Sequence, residues 1–203
     1  MTRRPGTSKT RLNELGGGTR ISQEPASGGE GPLERLVAFH GELRRTTVAL
    51  TAWLEGAAQG RLDPIEAKRL AEFFAGPLLW HDEDEEVSLL PRLRRLELGD
   101  AERRVLDATG RAHDRLEEAL EHLGPFLSEL AAGALGTEEE LQAAATEARA
   151  LEGLLDELMR LEEESLFPLA ASRLSTEELA ELGREMAARR SDANQRPRRA
   201  VEI

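Results

Sequence analysis

The chain has 203 residues, a formal net charge of −12 and no cysteine, which excludes disulfides, thiolate metal sites, iron–sulfur clusters and thiol catalysis. The acidic balance argues against non-specific nucleic-acid binding by the domain as a whole. No stretch approaches about 20 consecutive apolar residues and the N-terminus lacks the apolar core of a signal peptide, so the expectation is a cytoplasmic protein without membrane association.

Aromatic residues make up 3% and tyrosine is absent, while Ala, Leu, Glu and Arg dominate. That mix favours helix over sheet. Residues 1–31, rich in Gly, Ser, Thr and Arg, read as a disordered arm. Pro32 suits a first helical turn. From there Leu33, Leu36, Val37, His40, Leu43, Thr47, Leu50 and Leu54 recur with helical period until Gly56 or Gly60. A second helix opens at Asp63-Pro64, with Glu66 placed to complete a capping box. Its stripe is Leu70, Phe73, Phe74, Leu78, His81, Glu85 and Leu89. Pro77 predicts a kink one turn before His81, and Pro91 a bend or an end.

Gly99 separates a third helix beginning near Asp100, which turns Val105, Leu106, Thr109, His113, Leu116, Leu120 and Leu123 inward. Gly124-Pro125 predicts a bend or interruption, and Gly133 to Gly136 a close. Thr137 with Glu140 forms a capping box for a fourth helix, striped by Leu141, Ala145, Ala148, Leu151, Leu155, Leu158 and Glu162. Pro168 has the ending role given to Pro91. Ser175 with Glu178 caps a short fifth helix to about Arg190, and residues 191–203 read as a disordered basic tail. Arg189 and Arg190 read with that tail as a solvated end.

Four long amphipathic helices divided by short breakers predict an all-α fold: an up-and-down antiparallel four-helix bundle over residues 32–174. The fifth helix, 175–190, is expected to pack across one end. An elongated helical dimer is the competing arrangement.

His40, His81 and His113 fall on the inward faces of three different helices, and Glu85 and Glu162 add inward carboxylates. A carboxylate on an apolar face is costly unless paired or metal-bound. Imidazole and carboxylate together suit iron, manganese or zinc, with Glu85 and Glu162 as natural bridges between two ions. Glu86, Glu117 and Glu163 are further candidates as ligands or as partners of ligand histidines. His122 belongs to the surface, and the run Asp82 to Glu86 is read as mostly a solvated face. A buried polar network with no metal is the alternative.

The spacing His81-x-x-x-Glu85-Glu86-x-x-Leu89-Leu90-Pro91 and its echo Leu158-x-x-x-Glu162-Glu163-x-x-Leu166-Phe167-Pro168 resemble the hemerythrin-like, or HHE cation-binding, family over about residues 32–170. His40 and His113 match the family's first-helix and third-helix histidines. The resemblance implies a bundle holding a non-haem iron pair, with dioxygen binding, iron or oxygen sensing, or protection from reactive species as roles. Leu158 stands where the fourth-helix histidine is expected, and the position four after His113 is Glu117. Full dioxygen carriage is thereby disfavoured.

The expected protein binds one or two metal ions, iron first, through His40, His81, Glu85, His113 and Glu162, with dioxygen or another small redox ligand as its partner. A metal-free structural or regulatory bundle is the alternative. No separate nucleophile, acid–base pair or phosphate loop supports an enzyme assignment.

Overall fold

The computed structural model describes residues 31–195. The arm predicted over most of 1–31, and all of the tail beyond 195, lie outside the described residues. Among these the fold is all-α. Helix α1 spans Pro32–Ala58, α2 Pro64–Phe74, α3 Pro77–Glu83, α4 Leu90–Arg94, α5 Asp100–Ala131, α6 Glu138–Leu161, α7 Phe167–Arg173 and α8 Thr176–Gln195. Asp84–Leu89 joins α3 to α4 and Glu162–Leu166 joins α6 to α7, both as wide π-helical turns with i→i+5 hydrogen bonding. The bundle therefore has four legs: α1, the broken leg α2–α4, α5, and the leg α6–α7. Helix α1 packs on α6, and α5 packs between α6 and α2.

Local chemistry sets the ends. Asp63 Oδ1 accepts from the Ile65 and Glu66 amides at 3.0 and 3.2 Å. Glu66 does not return the bond, because Arg69 holds its carboxylate instead. Thr137 and Glu140 form the reciprocal box, as do Ser175 and Glu178. After α1, Gly60 takes a φ of 81°, so that its own amide and that of Arg61 fold back onto the carbonyls of Ala57 and Gly56.

The prolines act differently from their sequence reading. Pro77 breaks the leg outright: α2 stops at Phe74 and Pro77 opens α3. Pro91 and Pro168 end nothing, since each sits in the first turn of a short helix that comes after a wide turn. Pro125 lies inside an unbroken α5. Both Pro125 and Glu121 are exposed, so the proline lies on the solvent side of the helix.

The predicted stripes are buried almost throughout, except that Val37 is 43% exposed and Val105 and Leu120 are half-buried. They form two apolar layers. The larger runs from Leu43, Leu50 and Leu54 across Phe74, Leu78, Leu116 and Leu123 to Leu155 and Met159. The smaller gathers Leu33, Leu36, Leu89, Leu90, Leu93, Leu106, Leu166 and Phe167 with Leu182 and Met186 of α8, which thus packs at that end of the bundle. Each leg passes from one layer to the other through a polar residue: His40 between Leu36 and Leu43, Glu85 between Leu78 and Leu89, His113 between Leu106 and Leu116, Glu162 between Met159 and Leu166. The polar level is common to all four legs.

Candidate metal centre

His40, Glu85 and Glu162 are at most 1% exposed, and His81 and His113 are 5% and 6% exposed. One donor atom from each of His40, His81, Glu85 and Glu162 falls within 4.8 Å of the others. His40 Nε2 lies 3.2 Å from His81 Nε2 and 3.3 Å from Glu162 Oε2. Glu85 Oε1 lies 3.6 Å from His81 Nε2. His113 stands on the other side of the carboxylates, with Nε2 3.2 Å from Glu85 Oε2 and 3.1 Å from Glu162 Oε1. Each carboxylate thus presents one oxygen to the His40/His81 side and the other to His113.

The outer nitrogens meet the second glutamates of the repeated Glu-Glu pairs. Nδ1 of His40 is 2.8 Å from Glu163 Oε1, which also accepts from Arg44 at 3.0 Å. Nδ1 of His113 is 2.6 Å from Glu86 Oε1. In each motif the first glutamate faces the cluster and the second accepts from a histidine of another leg. An Nδ1–H engaged in this way leaves Nε2 of a neutral imidazole with a free lone pair toward the centre. The wide turns carry these pairs, and π turns are common at functional sites.

Titration reflects the crowding. Burial pulls the His81 imidazole down to about 4, so it is neutral at physiological pH. Burial also opposes a charge on His113, but hydrogen bonds to Glu162, Glu85 and Glu86 prevail and push it up to about 12. His40 is likewise raised against its burial by Glu162 and Glu163. Burial, then the neighbouring Glu162 charge, raises Glu85, whereas His113 and His40 hold Glu162 below the usual range despite its burial. With no metal bound, the proton on His113 offsets part of the carboxylate charge, and the same carboxylates favour a proton on His40.

The donor set fits a cation. Two imidazole Nε2 atoms face each other, and Glu85 Oε1 is buried without a hydrogen-bond donor. A hard-to-intermediate ion placed among nitrogen and carboxylate oxygen donors would satisfy the inward-facing atoms.

Of the other sequence candidates, Glu86 and Glu163 partner histidines as described. Glu117 is exposed and outside the cluster, since Leu116 takes the inward position after His113. His122 is exposed. Leu158 is 4% exposed and lines a small cavity of about 10 Å³ with His81, Glu85, His113 and Glu162, room for about one water. Sequence reasoning missed Asp84, which is completely buried rather than part of a solvated face. It also missed Arg189 and Arg190, which form ion pairs with Asp84 from within α8 rather than belonging to a solvated tail. The only signal in the sequence was the Asp84/Arg pairing potential across about a hundred residues, which no local pattern reveals.

Histidines and carboxylates brought to one buried level from all four legs define a helical bundle with a candidate cation site. The chain belongs to the hemerythrin family, matching the model described as hemerythrin HHE cation binding domain over residues 31–170. No curated protein matches the chain. Among the described residues no helix is long and apolar enough to cross a membrane.

Proposed function

We propose that the protein is a cytoplasmic non-haem iron protein that uses two unequal positions on either side of Glu85 and Glu162. The observation that carries this reading is the split of each carboxylate between the two histidine groups. His40 and His81 with both carboxylates supply four donors on one side. His113 with the same carboxylates supplies three on the other, and Leu158 offers none. The first position suits tight retention, and the second leaves coordination open to a small exogenous ligand.

Iron supplies redox chemistry when bound. The chain's own residues hold the donors, exclude bulk water with two apolar layers, and fix two histidines through Glu163 and Glu86. That arrangement supports sensing of oxygen or another small redox ligand, or metal handling and stress protection, over reversible dioxygen carriage. Azide added to the iron-loaded protein is expected to produce a new charge-transfer band; a spectrum indifferent to millimolar azide would contradict an open position. The same donor set suits manganese and zinc, and metal analysis of the purified protein discriminates among them.

A second reading has its own observation. His113 ties three carboxylates together without any metal, through hydrogen bonds to Glu86 and Glu162 and an ion pair with Glu85. A bundle serving as a structural or regulatory interaction domain would be stable in that protonated form.

A further inference from the structure

The family match ends at residue 170, yet α8, which begins at Thr176, packs against the turn that carries Glu85. Asp84, next to Glu85, is completely buried. Two guanidiniums of α8 meet its carboxylate: Arg189 donates to Oδ1 and to the Ser88 hydroxyl, while Arg190 Nη2 makes an ion pair 2.7 Å from Oδ2 without hydrogen-bond geometry. Arg189 Nε also lies 3.7 Å from Glu83. The pairing runs the other way as well. Arg92 of α4 forks onto Glu185 of α8 at 2.8 and 3.0 Å and donates to the Ser88 carbonyl at 2.8 Å. The Arg92–Glu185 fork, and the two donors that Arg189 divides between Asp84 and Ser88, fix geometry as well as charge.

The second wide turn shows what the motif needs by itself. In its register Leu161 stands where Asp84 does and Ser165 where Ser88 does, and the turn still forms. A buried carboxylate is therefore no requirement of the turn, and the arginines that meet Asp84 both belong to α8. We propose that Arg189 and Arg190 are positioning residues. Through Asp84 they fix the Asp84–Leu89 turn against α8, and so hold Glu85, and His81 one turn earlier, in the arrangement that receives the cation. This rests on the metal-binding reading above, and it makes a helix outside the family domain a determinant of the centre.

The test uses the full chain with two sets of substitutions. Arg189→Lys with Arg190→Lys keeps the charge and loses the fork. Arg189→Gln, Arg190→Gln and Asp84→Asn together remove charge from both sides, so no buried charge is orphaned should the lysine variant fail to fold. Amide hydrogen exchange of the metal-free protein is expected to rise at least about tenfold within 85–89 while 162–166 is unchanged. Iron affinity is expected to fall about 10–100-fold, with a shifted absorption spectrum. A folded variant with parental exchange at 85–89 and parental iron affinity overturns the proposal, as does equal loosening of both turns. Should the parent bind no iron, the metal reading fails by itself, and the exchange at 85–89 still decides the clamp.

Discussion

Replacing His81 with alanine is expected to lower iron affinity by at least about 100-fold, beyond the 10–100-fold range seen when outer partners of ligands are changed. His81 supplies one of the four donors on the better-furnished side of the carboxylates. Because burial keeps its imidazole neutral, its removal leaves no charge orphaned, and the metal-free bundle should still fold, losing only the packing of one buried ring against Phe39 and His40. His113→Ala is a poorer probe, since it strips the cation that Glu85, Glu86 and Glu162 share and would confound metal loss with instability. His122→Ala is the matched control: that side chain is exposed, and its loss should leave iron retention within about twofold, as for most surface substitutions. Equal effects at 81 and 122, read by metal analysis after dialysis, would contradict the assignment of the centre.

Leu158→His is the second large effect expected, in the opposite direction. The leucine side chain faces the small cavity that it shares with His81, Glu85, His113 and Glu162. An imidazole there can join His113 and the two carboxylates, bringing the weaker position from three protein donors to four. Iron should then occupy both positions, the second at least about tenfold more tightly, and the absorption spectrum should change. The metal-free variant should lose about 1–3 kcal/mol, because a polar ring has replaced an apolar side chain in a layer with few spare partners. Unchanged stoichiometry and spectrum would mean that position 158 does not address the metal.

Much of the centre was legible because helices repeat. His40, His81, Glu85, His113 and Glu162 each interrupt an apolar stripe, and a stripe fixes a face with no tertiary knowledge. The caps at Asp63, Thr137 and Ser175 were legible for the same local reason. The hidden features depend on contacts between distant segments or on a change of helical phase. The wide turns at Asp84–Leu89 and Glu162–Leu166 rotate the short helices after them, so Pro91 and Pro168 read as terminators when they in fact sit in fresh first turns. Asp84 looked solvated because its neighbours in sequence are acidic; its partners lie on α8. Glu117 looked inward from the i+4 rule alone, but in the structure Leu116 takes that role. The prolines, at the same register after both Glu-Glu pairs, were the one sequence trace of the turns.

Anaerobic titration of the metal-free protein with ferrous iron, counting bound iron and released protons together, addresses the central claim most directly. Filling the centre must displace the proton that the carboxylates hold on His113. The expected result is one tightly bound equivalent and then a weaker second, with proton release accompanying uptake. Absence of stoichiometric uptake, or uptake without proton release and undiminished by His81→Ala, would contradict an iron centre built on Glu85 and Glu162.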